Sequence, residues 1–142
     1  MPLLRRSARW RAAGQQHEHL LHHGPFEPIA GVWSDQPLHP KIAAVAAGSF
    51  MTSEPPMIRG GGYVVDALEA ALWAVRSTST FEEAVLVATN LGNDADTTAA
   101  ISGQLAGALY GLQGIPEHWR ERVVMGEEIL GLADGLLSSR IR

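Results

Sequence analysis

The residues best suited to chemistry lie in one short stretch, Asn90-Leu91-Gly92-Asn93-Asp94-Ala95-Asp96-Thr97-Thr98. Two carboxylates stand two positions apart and two hydroxyls follow at once, in a glycine-led loop that enters a helical pattern. A helix start stabilises carboxylates through its unpaired amides and its dipole, so Asp94 or Asp96 can be an N-cap with Thr97 or Thr98 in the first turn. That accounts for one aspartate and leaves the other. Two close carboxylates repel, and a divalent cation of the hard type that prefers oxygen, such as magnesium, removes the repulsion. The spacing alone leaves capping and metal binding both open. A second candidate is the run His17, His19, His22 and His23, in which His19 would share a helix face with His22 or His23. No acidic or cysteine partner completes a tetrahedral set at suitable spacing, so the expectation there is adventitious metal binding or none.

Composition narrows what those residues can be part of. The chain has 142 residues, 46% of them apolar, enough for one compact domain and against wholesale disorder. Cysteine is absent, which excludes a disulfide scaffold, a thiolate zinc site and a cysteine nucleophile. A formal charge of −4 gives no global case for nucleic acid. The charge is uneven: residues 1–60 hold six basic and four acidic groups, net +2, and residues 61–142 hold five and eleven, net −6. Arg5, Arg6, Arg9 and Arg11 beside Trp10 lack the apolar run of a signal peptide, and no run of about 18 apolar residues exists to span a membrane. The expectation is a cytoplasmic protein with neither nucleic-acid nor membrane partners.

The elements that must position the carboxylates are helical. Residues 1–23 form a basic, His-rich segment, disordered or a short helix, and 24–37 read as loop because Gly24, Pro25, Pro28, Gly31 and Pro37 forbid a long helix. Pro40 opens a short helix that Gly48 closes. Gly60-Gly61-Gly62 follows a Pro55-Pro56 loop, and three glycines in a row cost ordering entropy, so close approach to a neighbour or ligand competes with a floppy hinge. From Tyr63, Val64, Leu68, Ala71, Leu72 and Val75 recur at intervals of three and four, the stripe of a helix with one buried face. Asp66 falls in its first turn, where capping or charge–dipole stabilisation explains it. Thr80-Phe81-Glu82-Glu83 reads as a capping box for a deeply buried helix to Leu91. The next helix begins around Thr97 and ends at Gly111, with Gly103 and Gly107 predicted to admit another helix closely. A last, irregular helical region starts near Pro116, and 138–142 is a tail. No strand pattern of useful length occurs. The fold class is all-α, with five or six helices.

The ordered stretch Gly92-Asn93-Asp94-Ala95-Asp96-Thr97-Thr98-Ala99-Ala100-Ile101-Ser102-Gly103-Gln104-Leu105-Ala106-Gly107 resembles the C-terminal signature of the ADP-ribosylglycohydrolase family, of the dinitrogenase-reductase-activating type. Arg59-Gly60-Gly61-Gly62-Tyr63-Val64-Val65-Asp66-Ala67-Leu68-Glu69-Ala70-Ala71-Leu72-Trp73-Ala74 and His39-Pro40-Lys41-Ile42 resemble the same family, over about residues 24 to 120. The resemblance implies the C-terminal part of an orthogonal helical domain, spanning 24–137, that carries a pair of magnesium ions in a cleft. It implies hydrolysis of the N- or O-ribosyl bond of an ADP-ribosylated protein or a related ADP-ribose compound. By residue, it makes Asp94, Asp96 and Thr97 metal ligands and sets Gly61, Gly62 and Tyr63 at the substrate cleft. It assigns no catalytic acid or base in this chain.

The departures carry as much weight. The family's N-terminal half supplies a Gly-Asp motif, a Thr-Asp-Asp type cluster and the acidic residue that handles the water, and residues 1–23 hold one acidic group, Glu18. Asn93, Gly61 and Ala67 are milder changes. The expectation is therefore a partial module that needs a complementing N-terminal polypeptide or self-associates, with the apolar faces at Val64–Val75 and Phe81–Leu91 incompletely covered. The alternative is a non-catalytic helical remnant that binds a partner or an ADP-ribose-like ligand.

Overall fold

The computed structural model describes residues 29–139; the Arg5–Arg11 cluster, Trp10, the four histidines at 17–23 and residues 140–142 lie outside them. Helices α1 (Val32–Asp35), α2 (Pro40–Ala46), α3 (Val64–Arg76), α4 (Phe81–Asn90), α5 (Ala95–Tyr110), α6 (Glu117–Arg120) and α7 (Gly126–Ser139) follow in order, with 3-10 turns at Ser49–Met51 and Leu112–Gly114. Among the described residues there is no strand, and the all-α expectation holds. Helix α1 lies inside the segment read as loop; one turn fits between Gly31, left-handed at φ 82°, and Pro37.

Helices α3, α4 and α5 pack on one another and form the body of the molecule. The sequence stripe on α3 is displaced: Val64 is 67% exposed, whereas Ala67, Ala70, Ala71 and Ala74 are buried beside Val65 and Val75. Alanine carries little apolar area, so a hydrophobic pattern underrates it, but a ridge of small side chains lets neighbouring helices come close. Its counterpart on α5 is Thr98, Ser102, Ala106 and Leu109. The buried Ser102 hydroxyl donates to the Ala84 carbonyl of α4 at 3.1 Å, so the polar group inside the helix triangle is satisfied. Around it, Val75, Phe81, Ala84, Ala106 and Leu109 make one apolar cluster, and the Trp119 ring meets Phe81 edge-on at 6.1 Å. A second cluster, Val45, Phe50 and Val65, seats α2 and the first 3-10 turn on α3.

Thr80 caps α4 as expected, its hydroxyl accepting from the Glu83 amide at 3.2 Å. Glu83, however, reaches past the cap and accepts from the Ser79 amide at 3.0 Å, one residue earlier than the capping-box reading placed it. Helix α5 begins at Ala95, not Thr97, with Asp94 in the N-cap position.

Gly103 and Gly107 do not bring two backbones together. A Cβ on Gly103 would sit 3.8 Å from Val85 Cγ2 and 4.0 Å from the Phe81 ring, and one on Gly107 3.9 Å from Phe81, all ordinary contact distances. Glycine inside a helix costs about 1 kcal/mol against alanine, so Gly103→Ala should raise the melting temperature or leave it unchanged. Gly103→Leu has to displace Phe81 and Val85 and should cost about 1–3 kcal/mol. Thermal melts of the two variants check this; a destabilised alanine variant would restore the close-packing reading.

Coverage also differs from expectation. One face each of α3 and α4 is buried while Val64 and Leu86 stay exposed, and a longer run of exposed apolar residues lies on α7, none of whose residues is buried. Among the described residues, no helix is long and apolar enough to cross a membrane.

Candidate functional site

Gly92 and Asn93 both adopt left-handed backbone, at φ 76° and 54°, and reverse the chain from the end of α4 into α5. Glycine takes that conformation without steric cost and asparagine is among the residues that tolerate it, so Gly-Asn makes the turn and Asp94 lands at the helix start. The buried Thr98 then fixes the loop: its hydroxyl donates to the Asp94 carbonyl at 3.0 Å and its amide to the same oxygen at 3.1 Å.

The glycine triplet closes on this loop. The Asp94 amide donates to the Gly60 carbonyl at 3.2 Å. Gly60 is buried, and a Cβ there would lie 3.0 Å from Thr98 Oγ1 and 3.1 Å from the Gly92 carbonyl oxygen. Close backbone approach, rather than a hinge, accounts for the first glycine. A Cβ on Gly62 would lie 3.7 Å from Asp94 Oδ2, so Gly62 and the Asp94 carboxylate face each other directly. Gly61 is nearer Asp66, whose Oδ2 is 3.9 Å from Arg59 Nη2; that ion pair, added to its place in the first turn, accounts for Asp66.

Asp94 occupies the N-cap position, yet its side chain makes no capping hydrogen bond. Asp94 is thus the N-cap by position, with its carboxylate not engaged in a capping bond. The neighbouring Asp94 carboxyl, then the amides of Thr97 and of Asp96 itself, hold the exposed Asp96 below the ordinary aspartate range. Asp96 Oδ1 accepts from the Thr97 amide at 2.9 Å. Because the Asp96 value is lowered by folding, its contribution to stability is complete above the ordinary aspartate range and fades as pH falls through the lowered value. Two carboxylates two residues apart at a helix start repel, and a bound cation would relieve that repulsion.

The donor set is all oxygen, the chemistry magnesium prefers. It is also short: among the described residues, no group of three or more His, Cys, Asp or Glu is placed to hold a metal. Asp94 and Asp96 thus fit one side of a magnesium shell, with the Thr97 hydroxyl exposed beside them. Tyr63 stands at the start of α3, 44% exposed, with Lys41 Nζ 4.6 Å from its ring centroid. So the structure brings Gly62 to Asp94 and sets Tyr63 at the next position along the chain.

Sequence reasoning named Gly60 and Thr98 but not the clasp they make around the loop, and it missed Lys41. The first glycine of a triplet and a threonine four residues into a helix from a turn are visible signals of a clamp. Nothing in sequence spacing brings Lys41 to Tyr63.

A strand-free helical fold in which a glycine strand clasps an Asp-x-Asp-Thr helix start defines a class, and the comparisons identify it. The family model described as ADP-ribosylglycohydrolase matches residues 4–142, and the chain belongs to that family. ADP-ribosylarginine hydrolase Tri1 of Serratia proteamaculans is 47% identical over 100 residues, 70% of this chain and 27% of that protein. ADP-ribosyl-[dinitrogen reductase] glycohydrolase of Rhodospirillum rubrum is 38% identical over 87 residues, 60% of this chain and 30% of that one. A solved structure titled ADP-ribosylglycohydrolase-related protein complex superposes with a TM-score of 0.63 at 44% identity, over 71% of this chain and 35% of that chain. The chain spans about a quarter to a third of the length of these relatives.

Proposed function

We propose that the chain supplies the Asp94–Asp96–Thr97 side of a magnesium site in a cytoplasmic hydrolase that cleaves the ribosyl bond of an ADP-ribosylated protein or a related ADP-ribose compound. The observation that carries this reading is the Asp94 carboxylate, spared from capping at the helix start two residues before Asp96. The name of the Serratia relative favours an ADP-ribosylated arginine, an N-ribosyl bond, as substrate.

Magnesium bound here would orient ribose hydroxyls and activate a water. The chain's own residues shape and hold the site. Thr98 and Gly60 hold the Asp94 backbone in place. Gly62 leaves the space in front of the Asp94 carboxylate open, where a side chain would intrude. Tyr63 offers a ring at the margin of that space, with the Lys41 cation over it, suited to an anionic ligand. No group among the described residues is assigned as general acid or base, so turnover by this chain alone is not part of the proposal.

A second reading, ligand binding without turnover, is favoured by a donor set that stops at two carboxylates. An ADP-ribose release assay on ADP-ribosylated arginine separates the two. The 142-residue chain alone should show no hydrolysis above background; with the unmatched portion of the Serratia relative added, magnesium-dependent release should appear. Release by the chain alone would show that it holds the acid and base, and no release after complementation would leave the binding reading.

A further inference from the structure

Helix α7 is the part of the molecule that the proposed site leaves unexplained. Ile129, Leu132 and Leu136 recur at spacings of three and four, and Leu130 and Leu137 widen the same face. Glu127, Asp134 and Ser138 fall on the opposite side, so the helix is cleanly amphipathic. Such a face forms to be buried. Instead Leu132 and Leu136 are each 71% exposed and Leu137 59%, and the approach to the helix adds Val124 at 82%. A contiguous apolar surface of this kind marks an interaction site.

The occupant is indicated by two independent facts. The family match runs through residue 142, so α7 is an element of the family's domain and not an appendage. The chain nevertheless spans only 27% of the Serratia relative and 35% of the solved relative, so most of each relative lies outside what this chain aligns with. The short donor set at Asp94 and Asp96 points the same way. We infer that the Ile129–Leu132–Leu136 face of α7 is the docking surface for the portion of an ADP-ribosylglycohydrolase domain that this chain does not span. The inference rests on the reading of the chain as one side of a hydrolase site, but it concerns a surface remote in sequence from the carboxylates and can fail separately.

The test is co-expression of the full 142-residue chain with the unmatched portion of the Serratia relative, followed by affinity purification, light scattering and hydrogen exchange, all without magnesium. A one-to-one complex with α7 amides protected is expected. The double variant L132E/L136E should weaken it by at least about tenfold, while its circular dichroism stays that of the parent, since α7 contributes nothing to the core. D94A/D96A should form the complex normally. Failure to recover a complex, a complex indifferent to L132E/L136E, or a dimer of this chain through α7 that persists beside the relative's portion would each overturn the inference. A complex that forms through α7 but never hydrolyses ADP-ribosylarginine would leave the docking surface standing and remove the hydrolase reading.

Discussion

Magnesium titrated into the chain should give weak binding heat, and replacing Asp94 and Asp96 together with alanine should abolish it while the helices remain. Magnesium demands near-octahedral oxygen coordination and dehydrates reluctantly, so two carboxylates and a hydroxyl with water in the other positions make a poor site. Removing both carboxylates leaves no charged donor at the helix start. The fold should lose little. Asp94 makes no side-chain cap bond, so the ~0.5–2 kcal/mol usually forfeited with a capping side chain is not at stake. Loss of the favourable charge–dipole interaction is offset by relief of repulsion between the two groups. Calorimetry beside circular dichroism reads both quantities. Magnesium heat that survives in the double variant would place the metal elsewhere, and a collapse of helicity would return the pair to a structural role.

The single variants divide the claim further. Thr97→Val keeps the carboxylates and removes one neutral donor, so its effect on the titration should be smaller than that of either aspartate. Thr98→Val acts differently: it breaks the hydrogen bond to the Asp94 carbonyl in a buried position and loosens the loop without touching the cation.

How far the sequence carried this result can be seen helix by helix. The boundaries of α3 and α4 were legible because Tyr63, Ser77, Thr80 and Gly92 are strong start and stop signals. Which face of α3 is buried was not. Leucine and valine dominate any hydrophobic count, so Val64 looked like core, whereas the contact with α5 is made by alanines whose value is closeness rather than area. The small-residue spacing, by contrast, promoted Gly103 and Gly107, whose neighbours are side chains of α4 rather than a backbone. At the candidate site, the Asp-x-Asp-Thr pattern located the carboxylates but could not tell a cap from a ligand. That distinction is set by a side-chain direction, and the structure shows only that the Asp94 carboxylate makes no cap bond. The pairing of Gly62 with Asp94 is a contact between segments some thirty positions apart, which no local pattern encodes. The sequence marked the C-terminal region only as irregular and helical with a tail from residue 138, whereas the structure shows a continuous helix α7 through Ser139 that nothing in the described residues buries.

The glycine clamp gives the largest expected effect on stability. Gly60, Gly61 and Gly62 look equivalent in sequence, yet the structure assigns them unequal space. At Gly60 an added Cβ meets Thr98 Oγ1 at 3.0 Å, the Gly92 carbonyl oxygen at 3.1 Å and Leu91 Cβ at 3.4 Å. None of these can yield cheaply: Thr98 is fully buried and tied to Asp94, and the Gly92 oxygen belongs to the backbone of a left-handed turn. Gly60→Ala must therefore push the glycine strand off the loop and lose the Asp94 amide to Gly60 carbonyl bond. Overpacking of this kind costs about 1–3 kcal/mol, and a strained backbone hydrogen bond adds to it. For a domain of this size that is a fall of several degrees, roughly 2–8 °C per kcal/mol, in melting temperature. At Gly61 the nearest atoms are 4.0 Å away, so Gly61→Ala should melt at or above the parent, because alanine restricts the unfolded chain. Gly62→Ala should melt like the parent yet weaken magnesium binding, since its Cβ would stand 3.7 Å from Asp94 Oδ2 and crowd the side from which a cation and its waters must approach. Thermal melts of the three alanine variants, each paired with a magnesium titration, test the ordering. Equal melting temperatures for Gly60→Ala and Gly61→Ala would mean that the triplet is a hinge after all and that the loop carrying Asp94 is held by Thr98 alone.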